Sequence, residues 1–175
     1  MSGPVIIGYD GSDAADRAID HLADLLGSCS VLVVVVWEPG MAFDLLVPGF
    51  EPAPIDVRTA IELDEKLYEA ARQMAEQGAS RARRRGLQAD ALTVADELTV
   101  PATLIRLAVE RGAPAVAVGS HGHRGIREIL LGSTTRELLR RAPCPVIVVR
   151  GGEEPNGPND AGRAGGRAEV WSTPG

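Results

Sequence analysis

The sequence predicts an α/β fold with one doubly wound, five-stranded parallel sheet and helices on both faces. Short β-branched segments alternate with longer segments whose apolar residues recur at helical spacing, which gives the order βαβαβαβαβ. The second of the short segments, "SVLVVVVW" (Ser30 to Trp37), is apolar without alternation, as is typical of a strand that is covered on both faces. Right-handed crossovers between such strands give a parallel sheet.

The first part of the chain supplies two strands and one helix. "VIIGYD" (Val5 to Asp10) reads as a strand closed by an Asp-Gly-Ser turn, and a helical apolar repeat then runs to Gly27. After the second strand, four prolines and two glycines lie between Glu38 and Pro54. This composition predicts a long loop from Glu38 to about Ala53.

A long helix is predicted from Asp56 to about Gly86, which stands where a helix C-cap belongs. Its apolar positions at 3.6-residue spacing are Ile61, Leu67, Ala71 and Met74. The arginines at 83–85 are interpreted as a solvated last turn, which is favourable at the negative end of the helix dipole. A binding patch is the alternative interpretation.

The second part of the chain supplies three strands and two helices. "LQADALTVAD", "PAVAVGS" and "PVIVVR" read as strands, and "TVPATLIRLAVERG" and "STTRELLRRA" as helices, the latter stopped by Pro143. After Gly151 the composition changes to Gly, Pro, Asn and Glu, with little to bury. We therefore expect one domain over residues 1–151 and a disordered C-terminal tail over 152–175.

Composition disfavours several classes of protein. The formal net charge of −6 and an aromatic content of 3% give no basis for binding nucleic acid. The apolar runs are too short for a membrane span, and the chain start lacks the pattern of a signal peptide. We expect a cytoplasmic protein in which Cys29 and Cys144 are reduced, buried small hydrophobes.

Two turns carry the functional signal. Ligands of open parallel sheets bind beyond the carboxyl ends of the strands, where the winding reverses. "YDGS" (Tyr9 to Ser12) follows the first strand, and "GSHGHRGIREILLGSTT" follows the fourth. Glycines let backbone amides approach an anion, and a helix that begins at Gly132-Ser133 would direct its free amides at it. The pattern indicates phosphate binding, but it is neither a Walker A loop nor a G-x-G-x-x-G fingerprint.

Plainer readings of these residues stay open. Asp10 could be an N-cap of the following helix, and Ser133 and Thr134 could be caps and nothing more. His121 and His123 form an H-x-H pair, but third and fourth metal ligands are not apparent in the sequence.

The spacing G-x2-G-x9-G-[ST], with Gly119, Gly122, Gly132 and Ser133 in register, resembles that of the universal stress protein family. "IIGYDGS" near the start and "CPVIVVR" near the end strengthen the resemblance, which covers about Pro4 to Arg150. In that family the glycine motif separates members that bind ATP from those that do not. The resemblance also favours the strand order 3-2-1-4-5 over 2-1-3-4-5, which the element string permits as well.

The resemblance implies ten nucleotide-binding residues. It implies adenosine contacts for Tyr9, Asp10, Val36, Val118 and Gly119, and the phosphate loop and phosphate contacts for His121, Gly122, Gly132, Ser133 and Thr134. Asp10 would accept a hydrogen bond from the ribose or the adenine amine, and Val36 would pack on the adenine. The chain departs from many members at Val35, where they have histidine, and at 96–97, where they have a glycine.

The function that the resemblance implies is an ATP-binding regulatory protein of the stress response. ATP is the expected cofactor, with Mg²⁺ as an optional companion ion, and a homodimer through the fifth strand is the expected assembly. The alternatives are a slow ATPase and a scaffold of the same fold that binds no nucleotide. Arg124 and Arg127 are either phosphate-facing or solvated, and the sequence does not decide between these.

Overall fold

The structure is a computed structural model that describes residues 3–40, 56–95, 99–120 and 132–150. Most of the loop predicted after the second strand lies outside these ranges, and so does the tail predicted for 152–175. The same holds for five residues of the glycine-rich segment that the sequence singled out, namely His121, Gly122, His123, Arg124 and Arg127.

Five strands form one parallel sheet in the order β3-β2-β1-β4-β5. They are β1 (Val5–Gly8), β2 (Ser30–Trp37), β3 (Gln88–Ala95), β4 (Val116–Gly119) and β5 (Val146–Val149). The predicted fold class and the order 3-2-1-4-5 are confirmed, and the order 2-1-3-4-5 is excluded. The winding reverses between β1 and β4, which are neighbours in the sheet.

Four helices connect the strands, and each starts close to where the sequence predicts it. They are α1 (Asp13–Leu26), α2 (Val57–Arg84), α3 (Val100–Glu110) and α4 (Ser133–Arg141). Side chains of Ser12, Asp56 and Thr99 cap the first three by accepting a hydrogen bond from a backbone amide of the first turn. None of the described helices is long and apolar enough to cross a membrane.

The sheet separates two apolar cores. Helices α1 and α2 cover one face, where Ile7, Ile19 and Val33 are fully buried, and α3 and α4 cover the other, where Ile6, Leu104 and Leu138 are buried. Alternation along β1 sends Ile6 and Ile7 to opposite faces, as a strand requires. Cys29 and Cys144 are free thiols, but they are only partly buried rather than buried as expected. Cys29 packs beside α1 and α2, and Cys144 beside α3 and α4.

Helix α2 buries small residues rather than the large ones that its apolar periodicity emphasises. Its buried face consists of Ala60, Ala71, Ala75, Gly78, Ala79 and Ala82. Ile61, expected on the apolar face, is exposed. Small side chains let a helix lie close to a sheet, so α2 approaches β2 and β3 through alanine and glycine.

Thr93 in β3 offers a test of how the sheet is packed against α2. Its hydroxyl is buried and has no hydrogen-bond partner among the described residues. We expect Thr93→Val to stabilise the protein by about 1 kcal/mol, because it replaces an unpaired buried oxygen by a methyl group. Thermal unfolding should then shift upward by roughly 2–4 °C.

The matched control is Thr99→Val. The Thr99 hydroxyl caps α3 by accepting a hydrogen bond from the amide of Ala102. The same chemical change at Thr99 should lower stability by about 1 kcal/mol. A decrease of the melting temperature in Thr93→Val would contradict the unpaired state of its hydroxyl.

Candidate functional site

The candidate site lies at the carboxyl ends of β1 and β4. Parallel pairing aligns Gly8 with Val118, so the turns that follow these strands leave the same edge of the sheet. Helices α1 and α4 both begin at this edge, since α1 follows β1 and α4 begins beside the end of β4. Two helix N-termini therefore lie at the same edge of the sheet, which is a favourable place for an anion.

Asp10 shapes the turn between β1 and α1. Its Oδ1 accepts hydrogen bonds from the Ser12 amide at 3.0 Å and from the Ser12 hydroxyl at 2.6 Å. The Ser12 hydroxyl in turn accepts one from the amide of Ala15, so Ser12 and not Asp10 is the N-cap of α1. Gly11 between them has φ of 74°, a left-handed conformation that favours glycine. One carboxylate oxygen of Asp10 orders the turn, and Oδ2 makes no hydrogen bond to the described residues.

Gly119 at the end of β4 is required by packing. A Cβ there would lie 2.9 Å from the carbonyl carbon and the Cβ of Ala14, in the first turn of α1. The glycine therefore brings α1 against β4. The residue before it, Val118, is buried on the α3/α4 face of the sheet, and Val36 near the end of β2 lies partly buried on the same face.

The start of α4 is joined to the end of β4 by two hydrogen bonds. The Gly132 amide donates to the Ser120 carbonyl at 3.1 Å, and the Thr135 hydroxyl donates to the Gly119 carbonyl at 3.2 Å. Ser133 and Thr134 lie within the first helical turn rather than at the N-cap position, which Gly132 occupies. No side chain among the described residues caps this helix.

The backbone conformation of Gly132 does not require glycine. Its φ of −55° and ψ of 158° are accessible to every residue type. A Cβ on Gly132 would have Ser120 O, at 3.5 Å, as its nearest contact, which is an ordinary van der Waals separation. Neither the backbone nor the neighbouring atoms of the described residues demand glycine at position 132.

Tyr9 lies on the other side of the sheet from Val36 and Val118. Its hydroxyl donates to Asp16 Oδ1 at 2.7 Å, and its ring packs against Gly78 of α2, where a Cβ would come within 3.0 Å of the ring. Its amide donates to the Val34 carbonyl, which extends the strand pairing by one residue. The side chain of Tyr9 is therefore engaged by α1 and α2, on the face of the sheet opposite to Val36 and Val118.

Asp16 belongs to a ladder of ion pairs between α1 and α2. Arg81 contacts Asp16 at 3.1 Å and Asp20 at 2.6 Å, and Arg85 contacts Asp24 at 2.7 Å and Asp20 at 3.4 Å. The three aspartates recur every fourth residue and so form one stripe of α1. Arg85, the last of the arginines at 83–85, is thus paired with aspartates of α1. The interpretation of these arginines as a solvated last turn did not include this pairing.

Burial, and then the hydrogen bond to Asp16, raise the pKa of Tyr9 well above its ordinary value. Because the pKa is higher in the folded state, the stability that Tyr9 contributes is complete below about pH 10 and decreases as the pH rises further.

The second tyrosine, Tyr68, is exposed. In Tyr68→Phe, which leaves Tyr9 as the one tyrosine, phenolate absorbance should therefore appear only well above pH 10. Adding Asp16→Ala should bring its appearance to lower pH. Phenolate formation near pH 10 in folded Tyr68→Phe would contradict the burial of Tyr9.

The sequence profile of the universal stress protein family matches residues 1–150. The chain belongs to this family. Universal stress protein YxiE of Bacillus subtilis is 29% identical over 160 residues, which cover 86% of this chain and 100% of the relative. A universal stress protein of Thermus aquaticus, encoded in a QAH/OAS sulfhydrylase 3′ region, is 30% identical over 153 residues, with 86% and 100% covered.

Solved structures of universal stress proteins share the fold. Hypothetical protein MJ0577 of Methanocaldococcus jannaschii superposes with a TM-score of 0.67 at 23% identity, covering 87% of this chain and 99% of that one. A universal stress protein in complex with cAMP has a TM-score of 0.54 at 22% identity, with 86% and 98% covered. A family protein of Arabidopsis thaliana with AMP bound has a TM-score of 0.53 at 13% identity, with 90% and 97% covered.

The structure brings most of the described candidate residues together at one edge of the sheet. The exception is Tyr9, whose side chain lies on the α1/α2 face. Asp10, Gly119, Gly132, Ser133 and Thr134 lie on the turns and helix starts at the shared edge of β1 and β4. Val36 and Val118 share the α3/α4 face below that edge. His121 and Gly122 lie outside the described residues. The sequence analysis did not predict that Tyr9 contacts Asp16 and Gly78. The four-residue spacing of the aspartates in α1 was, however, a signal for a row of ion pairs.

Proposed function

We propose that this universal stress protein binds ATP at the carboxyl ends of β1 and β4 and acts as a nucleotide-dependent regulatory protein. The observation that carries the proposal is Gly132. It stands at the start of a helix without a side-chain cap, and no described neighbour requires it to be glycine. A phosphate in front of α4 would supply both the reason for the missing side chain and the partner for the helix amides.

The phosphate end of the site consists of backbone donors and small hydroxyl residues. Ser133 and Thr134 begin α4, and their amides point out of the helix start, where the helix dipole favours negative charge. The hydrogen bond from Gly132 to Ser120 holds this turn against β4. Such donors are fixed before the ligand arrives, so the anion does not have to order them.

The nucleoside end of the site combines an apolar surface with one carboxylate. Val36 and Val118 are partly or fully buried on the face of the sheet that α3 and α4 cover. Asp10 stands one strand away from Val36, at the end of β1, with Oδ2 available to accept a hydrogen bond. An apolar wall with a few placed polar groups is the usual composition of a site for a small ligand. The bound AMP and cAMP in two structural neighbours support an adenine nucleotide.

We propose binding rather than turnover as the activity. Hydrolysis requires a group that orients water beside the terminal phosphate. Asp10, the carboxylate of the candidate set, lies at the nucleoside end, and its Oδ1 is engaged by Ser12. Mg²⁺ would then accompany the phosphates as a counter-ion, and the nucleotide state would be read by a partner in the cytoplasm.

The test is to identify the nucleotide that co-purifies with the protein by mass spectrometry and to titrate the emptied protein with ATP, ADP, AMP and cAMP by calorimetry. We expect ATP to bind most tightly, because it places the most charge before α4. A protein that purifies empty and stays empty in millimolar ATP would instead be a scaffold of the same fold.

We also propose that two copies pair through β5. This strand is the last of the sheet, and three of its four residues are only partly buried. An open strand edge presents unpaired backbone groups, and a second copy of the same edge can satisfy them around a twofold axis.

A further inference from the structure

Tyr9 is held from three sides by three different elements. Its amide is bonded to the Val34 carbonyl of β2 at 2.9 Å, its hydroxyl to Asp16 of α1 at 2.7 Å, and its ring rests on Gly78 of α2. Gly78 is a buried glycine in the middle of a helix, where glycine is unfavourable. A Cβ there would come within 3.0 Å of the Tyr9 ring and 2.9 Å of Val33, so the glycine makes room for the tyrosine.

We propose that Tyr9 is a positioning residue for nucleoside recognition, which it serves without touching the nucleotide. This inference rests on the proposed function. Because its hydroxyl is bonded to Asp16 and its ring packs on Gly78, Tyr9 fixes the peptide that leads into Asp10. Successive side chains of an extended chain point to opposite sides, so the placement of Tyr9 toward α1 and α2 directs Asp10 away from them. That is the side on which Val118 is buried and Val36 packs against the same core.

The α1/α2 ladder keeps the acceptor for Tyr9 in place. Asp16 uses Oδ1 for Tyr9 and Oδ2 for Arg81, which Asp20 also holds. With two different partners, the carboxylate cannot rotate freely away from the tyrosine. The position of Asp10 therefore depends on a hydrogen bond formed on the opposite face of the sheet.

The experiment is a double-mutant cycle of Tyr9→Phe and Asp16→Ala, with calorimetric titration of ATP, adenosine and inorganic tripolyphosphate. Tyr9→Phe keeps the ring on Gly78 and removes only the hydroxyl. Each single variant should weaken ATP and adenosine about three- to tenfold and leave tripolyphosphate unchanged, because the phosphate end is built from α4. The double variant should be no weaker than either single one, since both remove the same interaction.

Arg85→Gln is the matched control. Arg85 pairs with Asp20 and Asp24 in the same ladder, and neither of these aspartates is bonded to Tyr9. It should lower the melting temperature as a ladder variant does, yet leave ATP affinity as in wild type. If the loss of ATP affinity were proportional to the decrease in melting temperature in all variants, Arg85→Gln included, Tyr9 would have only a structural role. That result would overturn the inference.

Two other outcomes separate this inference from its premise. Weaker ATP binding in Tyr9→Phe with wild-type affinity in Asp16→Ala would mean that Tyr9 touches the nucleotide itself, which overturns the positioning role alone. A wild-type protein that binds neither ATP nor tripolyphosphate would overturn the proposed function and this inference with it.

Discussion

Gly132→Val is expected to abolish ATP binding while the domain stays folded. The valine side chain would stand at the start of α4, where the described residues leave room for a Cβ, and push a phosphate away from the helix amides. Loss of two charge-assisted hydrogen bonds, each about 1.5–3 kcal/mol, weakens binding by roughly a hundredfold or more. The backbone of Gly132 has an ordinary extended conformation, so the fold tolerates the change. Calorimetric titration with ATP, ADP and adenosine measures the effect, and circular dichroism checks the fold.

Two further variants separate the contribution of the phosphate end of the site from that of the nucleoside end. Ser133→Ala removes one hydroxyl and keeps the amide, so it should weaken ATP binding far less than Gly132→Val. Asp10→Ala should lower the affinity for adenosine and leave the affinity for tripolyphosphate unchanged. Wild-type ATP affinity in folded Gly132→Val would show that the start of α4 is only a turn.

Val148→Pro is expected to convert the proposed dimer into monomers. The Pro145 carbonyl accepts a hydrogen bond from Val116 of β4, and the Val149 carbonyl accepts one from Ser120, just after β4. Because backbone groups alternate in direction along a strand, the N–H of Val148 points outward. Proline removes this donor and is tolerated on an edge strand. Loss of one bond in each copy, about 1 kcal/mol each, should weaken the dimer by roughly thirtyfold, before any clash of the ring. Sedimentation at tens of micromolar measures the change.

The control for this experiment is Val148→Thr, which keeps the outward N–H and should remain dimeric. Ile147 and Val149 are less suitable positions, because Ile147 packs against the α1/α2 core and Val149 is buried. A monomeric wild type under the same conditions would contradict the β5 interface.

The candidate site was predictable where its residues are local in sequence. The spacing of Gly119, Gly132 and Ser133 and the Asp-Gly-Ser turn after β1 were sufficient to indicate two turns at one edge of the sheet. The role of Tyr9 was not predictable in this way. Asp16 and Gly78, which hold it, lie 7 and 69 residues away along the chain (from 16 − 9 and 78 − 9), and their meeting depends on how α2 packs. The room for a Cβ at Gly119 and at Gly132 likewise follows from packing. A Cβ at Gly119 would lie too close to Ala14, whereas among the described residues a Cβ at Gly132 would make only an ordinary contact with the Ser120 carbonyl oxygen.

By itself, the sequence determined the element order, the parallel sheet and the family, because hydrophobic periodicity, turn residues and a spaced glycine motif are local signals. The tertiary structure confirmed the strand order 3-2-1-4-5, which the family resemblance favoured and which sets β1 beside β4. It decided two matters that no local signal contains. It showed that α2 packs through alanines and Gly78 instead of Ile61. It also placed Tyr9 and Val36 on opposite faces of the sheet, since side-chain direction follows from strand register and from which helix covers each face.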